Sequence, residues 1–355
     1  MTGLIDDILR LTAIPAPSGR EGAIARIMRE RWQTFGVVNE DRLGNLSLTV
    51  GEGDPHVAFV AHLDEIGFVI RTIDETGFIG LNRLGGIPER VLAGQRILLL
   101  GADGPVTGVF ATYPHHFTPD AEKYRVRPIG DVWVDIGATD KQAVTDEFGL
   151  RVGDFGVYER HAHVAGDRVF ANALDDRLGL AALSGLLDRV GTPAAGRVSV
   201  IASVQEEFSI RALVPTVRRL DPDALVVVDV SPATDTPEMA GHSDIALGAG
   251  PVMNRHSFHG RGTLGGVLPP EWLVAATEAS AAAADIPLQR ASVVGVITDG
   301  AFALHLNDGI PTIEVGVAVR YTHCPVEVCS IRDLEWLMDL LVGMSGEIAG
   351  AVPWR

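Results

Sequence analysis

Four short runs of almost wholly apolar residues constrain the fold of this chain more than any other feature. They span residues 57–61, 197–203, 224–228 and 312–319. A strand that is apolar at nearly every position is covered on both faces, which is typical of a sheet with helices on either side. A Pro/Gly turn at residues 192–196 precedes the second run, and helix-like leucine spacing over residues 183–190 precedes that turn. The sequence therefore predicts an α/β fold around a mostly parallel central sheet.

Acidic or histidine side chains follow each of these runs. The residues in these positions are His62, Glu206, Glu207, Asp229 and His323. The carboxyl ends of parallel strands lie along one edge of an open sheet, and ligands bind at that edge. Asp175 precedes a helix, so it fits a strand-to-helix connection at the same edge. We therefore expect these six side chains to be neighbours just past the carboxyl ends of the strands.

The expected cluster has the chemistry of a divalent metal site. Imidazole nitrogen and carboxylate oxygen suit zinc, cobalt or manganese. The set is too large for one catalytic zinc, which takes three protein ligands, and it fits two metals that share a carboxylate. Asp64 lies two residues from His62 and is placed to accept the ring N–H of that histidine. One glutamate of the adjacent pair is then available to move a proton.

Each of these residues also has an ordinary structural explanation. A single buried histidine such as His62 is more often a satisfied core residue, and paired glutamates are common on surfaces. Asp175 and Asp176 on their own are typical of a helix cap. The metal interpretation gains its weight from the recurrence of such groups after successive buried strands.

Residues 68–164 have a different pattern from the rest of the chain. Short strand candidates alternate there with glycine and aspartate turns, including Gly101-Ala-Asp-Gly104 between two β-rich arms. We interpret this block as a small β-rich domain inserted into a catalytic domain made of residues 1–67 and 165–355. The alternative is a set of edge hairpins within one domain, which the chain length of 355 residues disfavours.

Composition excludes several function classes. The formal net charge is −17, whereas a nucleic-acid-binding protein carries a basic face. The acidic balance also gives no support for binding an anionic membrane, and no apolar run approaches the roughly 18 residues that span a bilayer. The first residues lack the features of a signal peptide. With only two cysteines, Cys324 and Cys329, the sequence predicts a protein of the reducing cytoplasm rather than a disulfide-rich secreted one.

Five motifs in order resemble those of a known peptidase family. They are His62-Leu-Asp-Glu65, Ala173-Leu-Asp-Asp-Arg177, Val204-Gln-Glu-Glu207, Asp229-Val-Ser and Arg320-Tyr-Thr-His-Cys-Pro-Val326. Together they resemble metallopeptidase family forty-two, the tetrahedral (TET) and glutamyl aminopeptidases, some of which are labelled endoglucanases. The resemblance covers nearly the whole chain.

The resemblance implies a role for each candidate residue. Asp175 would bridge two divalent metal ions, with zinc expected first and cobalt or manganese as alternatives. Glu207 and His323 would complete one metal site, and His62 and Asp229 the other. Glu206 would be the general base, and Asp64 would support His62.

The resemblance also implies an architecture and partners. A three-layer phosphorylase/hydrolase-like α/β domain with a mixed sheet would carry the metals, and a PDZ-like β domain would be inserted into it. The substrates would be short peptides with a free amino terminus, and the chain would assemble into dimers or tetrahedral dodecamers. The sequence departs from the family pattern at residues 208–212, at residues 113–117 and at Cys324, where a serine is common.

Two other interpretations remain open at this stage. A deacylase or carboxypeptidase on a related dinuclear-zinc fold would use the same ligands. A metal-stabilised peptide-binding scaffold would bind metal without catalysis. Gly260-Arg-Gly-Thr-Leu-Gly265 matches a dinucleotide-binding pattern, but no buried strand and helix flank it as that pattern requires.

Overall fold

A computed structural model describes residues 2–193, 196–260 and 262–354. The helices are α1 (Thr2–Thr12), α2 (Gly22–Trp32), α3 (Lys141–Asp146), α4 (Leu174–Val190), α5 (Glu206–Ser209), α6 (Val214–Leu220), α7 (Glu271–Ala283), α8 (Gly300–Ala303) and α9 (Ile331–Ala351). Among the described residues, no helix has the length and apolar composition needed to cross a membrane. The predicted turn at 192–196 and the glycine-rich stretch at 260–265 include Ala194, Ala195 and Arg261, which lie outside the described residues.

Within the described ranges, eighteen strands make up two sheets. They are β1 (Asn39–Glu40), β2 (Leu46–Gly51), β3 (His56–His62), β4 (Gly67–Ile73), β5 (Ile79–Leu84), β6 (Arg96–Gly101), β7 (Gly104–Phe110), β8 (Trp133–Asp135), β9 (Phe155–Tyr158), β10 (Ala162–Ala165), β11 (Arg168–Ala171), β12 (Arg197–Ser203), β13 (Ala224–Pro232), β14 (Val252–Phe258), β15 (Gly266–Val267), β16 (Gln289–Val294), β17 (Thr312–Arg320) and β18 (Glu327–Ser330).

Twelve of these strands form one mixed sheet in the order β1-β2-β12-β3-β13-β17-β18-β11-β10, with β14 beside β17 and β15 and β16 beside β14. The four predicted apolar runs form the parallel centre, β12-β3-β13-β17. The strands on either side of that centre pair with it in the antiparallel sense. The sequence prediction of an α/β fold with a mixed central sheet is thereby confirmed.

Alternate side chains of the central strands enter two different cores. Val57 and Phe59 of β3 pack in the larger core, with helices α1, α2, α4, α7 and α9. Ala58 and Val60 pack in a smaller core on the other face, with α6 and α8. All four residues are fully buried. This period-two alternation explains why the strand is apolar at every position, and truncation of Phe59 to alanine would cost about 3–5 kcal/mol.

The second sheet is a closed barrel of six strands, β4-β5-β8-β7-β6-β9. Its core contains Phe68, whose ring lies 5.2 Å from that of Phe110 and 5.7 Å from that of Tyr158. The predicted hairpin is present, because Gly101 of β6 pairs with Gly104 of β7. The barrel therefore has its own hydrophobic core, separate from the two cores of the large sheet.

A buried ion cluster fixes the barrel beside the carboxyl edge of the large sheet. Residues 63–66 alone connect β3 to β4, so the barrel begins where the central strand ends. Within this connection, Glu65 accepts hydrogen bonds from Arg160 at 2.6 Å and from Arg177 at 3.3 Å. Glu65 also accepts the N–H of Ala16 at 2.8 Å. The entrance and exit of the barrel are thus tied to α4 and to the amino-terminal segment.

Candidate metal centre

The parallel ladder brings two distant motifs to one edge of the sheet. His62 is the last residue of β3, and it pairs with Ser203, the last residue of β12. Glu206 and Glu207 follow three and four residues later and begin the short helix α5. The strand-end prediction therefore places these three side chains as expected.

Asp229 lies elsewhere than the sequence analysis placed it. It was predicted just past the end of a strand, but β13 continues to Pro232 and Asp229 pairs with Gly316 of β17. The prediction failed because the ladder between β13 and β3 stops at Val227, while the ladder between β13 and β17 continues. Asp229 therefore lies inside a strand that has lost its neighbour on one side, and that side faces the site.

Asp175 connects the two histidines. Its Oδ1 lies 3.0 Å from Nε2 of His62, and its Oδ2 lies 3.4 Å from Nε2 of His323. The same nitrogen of His323 lies 3.2 Å from Oε1 of Glu207. Burial raises the pKa of Asp175, but hydrogen bonds from His323 and His62 outweigh burial and lower it below its ordinary value. One carboxylate oxygen for each imidazole is the arrangement that a bridging ligand requires.

Two groups of ligand atoms lie close enough to hold a metal ion. In each group the donor atoms lie within 4.8 Å of one another; the groups are His62 with Asp175 and Glu207, and His62 with Asp176 and Asp229. Both oxygens of Asp176 already accept backbone N–H groups, from His62 at 3.2 Å and from Gly179 at 2.9 Å. Asp176 therefore acts as a helix cap and as a support for His62, which leaves Asp175 better placed to be shared.

The cluster contains more acidic than basic side chains, so bound cations would stabilise it. Burial is the largest cause that raises the pKa of Glu206 and of Asp229 well above the ordinary values, and neighbouring carboxylates add to it. Oε1 of Glu206 is buried without a hydrogen-bond partner in the described part of the chain. Two imidazoles lie here beside five carboxylates, those of Asp175, Asp176, Glu206, Glu207 and Asp229. This donor set and its unsatisfied oxygen fit a pair of divalent cations.

Asp64 supports the site differently from the way the sequence suggested. The atom nearest to Nδ1 of His62 is the main-chain oxygen of Asp64, at 3.1 Å, whereas its carboxylate oxygen is 3.5 Å away. The Asp64 carboxylate instead accepts the backbone N–H groups of Glu206 at 2.9 Å and Glu207 at 3.1 Å, and the hydroxyl of Ser18 at 2.5 Å. Asp64 therefore orients His62 through its carbonyl and the two glutamates through its side chain.

Sequence reasoning missed two supporting residues. The carbonyl of Gly86, which follows β5 of the barrel, accepts a hydrogen bond from Nδ1 of His323 at 3.1 Å. Nothing in the sequence signals this contact, because it joins two domains. Glu327 accepts the backbone N–H of Asp175 and that of His323. A single acidic residue within the apolar run Pro325-Val-Glu-Val328 was the available signal.

A cavity of about 900 Å³ opens above the cluster. Its walls include Glu206, residues 208–211 at the end of α5 and just beyond it, and Gly86 and Arg90 on the barrel side. The departure from the family pattern at residues 208–212 thus lies mostly in the cavity wall. The departure at residues 113–117 lies elsewhere, on an exposed part of the barrel where Phe117 is 80% exposed.

The chain is similar in sequence and in fold to known peptidases. A family model described as M42 glutamyl aminopeptidase matches residues 44–340. SgcX of Escherichia coli K12 is 36% identical over 351 residues, covering 95% of this chain and 92% of SgcX. A TET aminopeptidase from a Thaumarchaeota archaeon superposes with a TM-score of 0.92 at 27% identity, over 99% of each chain. Pyrococcus horikoshii TET1 peptidase, which can assemble into a tetrahedron or a large octahedral shell, superposes with a TM-score of 0.84 at 28% identity, over 96% of this chain and 98% of that one.

Proposed function

The chain belongs to the M42 glutamyl aminopeptidase family and is a metal-dependent aminopeptidase, and we propose that it removes amino-terminal residues from short peptides with two divalent metal ions and Glu206 as general base. The observation that carries the proposal is the buried Asp175 carboxylate, which contacts His62 with one oxygen and His323 with the other.

The proposed ligand sets follow the contacts of Asp175. Glu207 and His323 lie on one side of it and would hold one ion, while His62 and Asp229 would hold the other. Zinc suits these nitrogen and oxygen donors, and cobalt or manganese would occupy the same donor set. When bound, the ions supply Lewis acidity at the scissile carbonyl and lower the pKa of a coordinated water toward 7.

Glu206 is the side chain best placed to move the proton. Its carboxylate is buried, its Oε1 has no partner among the described residues, and Asp64 fixes its backbone. Glu206 would take a proton from the attacking water and deliver it to the nitrogen of the leaving amine, so that the same oxygen acts first as base and then as acid. A carboxylate already engaged in hydrogen bonds, such as that of Asp64, is poorly suited to this task.

The cavity supports a peptide held by its amino terminus. Asp175, Glu206 and Asp229 are among the residues that line it, and a protonated α-amino group complements this acidic lining. Its volume of about 900 Å³ admits a few residues rather than a folded chain. A free amino terminus would thus both orient the substrate and limit cleavage to the first peptide bond.

We further propose that the protein works as a cytoplasmic homo-oligomer, a dimer or a tetrahedral dodecamer. The six-stranded barrel would serve as the PDZ-like assembly domain of the family. Two strongly exposed aromatic side chains on the connection between β7 and β8, Phe117 at 80% and Tyr124 at 95%, support an interface there, because aromatic residues are enriched at protein interfaces. The tetrahedron and the octahedral shell into which P. horikoshii TET1 can assemble also support this proposal.

A pair of matched substrates tests the proposed reaction. Leucyl and glutamyl p-nitroanilides with free amino groups should be hydrolysed in the presence of zinc, cobalt or manganese, and their N-acetylated counterparts should not. Chelation should abolish the activity, and readdition of metal should restore it. Hydrolysis of the acetylated substrates alone would identify a deacylase-type enzyme instead.

A further inference from the structure

Glu327 holds the backbones of two metal-site residues that lie far apart in the sequence. Its Oε1 accepts the N–H of His323 at 2.7 Å, and its Oε2 accepts the N–H of Asp175 at 3.2 Å. The residue is only 2% exposed. It begins β18 and pairs with Ala171 of β11, so its own backbone is fixed within the large sheet. A rigid carboxylate therefore joins the loop that carries one ligand to the turn that carries another.

Both amides need such an acceptor. Asp175 has φ −78° and ψ 107°, which are not helical values although it stands at the start of α4. His323 has φ +65°, a left-handed conformation that a residue with a side chain adopts only when its surroundings stabilise it. An unpaired buried N–H costs about 1–3 kcal/mol, so the carboxylate offsets two such costs at once.

The direction of the His323 side chain depends on this backbone conformation. Nδ1 of His323 faces the carbonyl of Gly86, which leaves Nε2 directed at Asp175 and Glu207. Rotation of the residue out of its left-handed conformation would swing Nε2 away from both carboxylates. The hydrogen bond to Glu327 opposes that rotation.

We propose that Glu327 is a positioning residue, which sets the distance between His323 and Asp175 and so preorganises the metal centre. This inference rests on the proposed metal-dependent function. Glu327 itself is not a ligand in this account, because both of its oxygens are committed to backbone N–H groups. Its effect on the reaction would pass through the two residues it holds.

Asp333 provides a matched control. Its carboxylate is also buried and also accepts two backbone N–H groups, from Gly248 at 2.7 Å and from Gly250 at 2.9 Å. It stands in α9 and is not among the residues that line the cavity. Asp333→Asn therefore measures the general cost of neutralising a buried carboxylate that holds two amides.

The test is a zinc titration of metal-stripped full-length protein, with unfolding followed in parallel. In Glu327→Gln the new NH₂ group faces an N–H, so one of the two amides loses its acceptor. We expect Zn²⁺ affinity to fall about 10- to 100-fold, as for other residues that orient ligands. Asp333→Asn should lower the melting temperature of the metal-stripped protein to a similar extent yet bind Zn²⁺ as the wild type does. Equal Zn²⁺ affinity in wild type and Glu327→Gln would overturn the inference.

Two further variants keep the test decisive. If Glu327→Gln does not fold, Glu327→Asp retains the carboxyl group but is one methylene too short to reach both amides, and it should also weaken Zn²⁺ binding. Wild-type affinity in that variant would refute the role. In the His323→Ala background, Glu327→Gln should have a smaller effect on Zn²⁺ affinity, because the imidazole that Glu327 positions through the backbone of residue 323 is absent. Fully additive losses would show that Glu327 does not act through His323. Failure of the wild type to bind zinc would instead refute the proposed function, which separates the two outcomes.

Discussion

The two halves of the proposed metal centre are built in different ways. The floor, defined as His62, Asp175 and Asp229, stands on β3, α4 and β13, and His62 is only 3% exposed. The rim, defined as Glu207 and His323, stands on α5 and on the loop after β17, and the His323 side chain is 31% exposed. Strand ladders set the positions of two of the three floor residues, His62 and Asp229. Side-chain bonds to backbone groups of other segments set the positions of the rim, so the rim is the half that small changes can displace.

The largest effect on activity is expected from a substitution that removes the proposed general base and leaves the ligands of both halves unchanged. Glu206→Gln keeps the size of the side chain but cannot accept a proton, so turnover should fall by about 10²- to 10⁴-fold. Neither floor nor rim loses a proposed ligand. Steady-state kinetics with a p-nitroanilide substrate, together with metal analysis of the purified variant, would measure both quantities.

The neighbouring glutamate supplies the control. Glu207→Gln alters the rim, so we expect weaker metal binding, with activity partly restored by added zinc. If Glu206→Gln were to lose metal while Glu207→Gln kept it, the two assigned roles would have to be exchanged.

Removal of one histidine from each half should separate their contributions to stability. In the metal-free protein, burial lowers the pKa of His62, but Asp175 and Asp64 raise it well above its ordinary value, so the ring is charged and offsets its neighbours. His62→Ala should therefore destabilise the metal-stripped protein by about 3–5 kcal/mol, because it leaves buried carboxylates unopposed. His323→Ala, at a partly exposed position, should cost about 1 kcal/mol or less. Urea unfolding of both variants at pH 7 measures the difference, and equal costs would refute the distinction between floor and rim.

A substitution in the barrel should have a smaller effect on metal binding, because it disturbs only the rim. A Cβ at Gly86 would lie 2.8 Å from Nδ1 and 3.1 Å from Cε1 of His323, so Gly86→Ala should displace that ring. We expect metal affinity to fall about 10-fold, the lower end of what supporting residues contribute. Gly130→Ala is the matched control, since Gly130 lies in the same domain and a Cβ there meets nothing within 4 Å. If the two variants bound zinc equally well, the barrel would have no influence on the site.

The residues at the ends of the central strands were largely predictable from the sequence, for a physical reason. Short apolar runs such as residues 57–61 and 224–228 favour strands covered on both faces, and parallel pairing then brings their carboxyl ends together. This argument placed His62 and the glutamate pair. It misplaced Asp229, because the sequence does not reveal that β13 loses one neighbour before it ends.

The supports of the rim could not be predicted in the same way. The contact of His323 with Gly86 depends on how the barrel sits against the sheet, and no local pattern encodes that packing. The main-chain role of Asp64 depends on the turn that follows β3. Interactions of a side chain with a distant backbone group leave no periodic trace in the sequence, whereas buried strands do.

The most direct test of the account is the number of divalent ions that the wild-type protein binds. Calorimetric titration of the metal-stripped enzyme with zinc, checked by elemental analysis after desalting, should give two ions per subunit and one ion retained in His323→Ala. Saturation of the wild type at one ion, or no binding at all, would contradict a centre in which Asp175 serves both histidines.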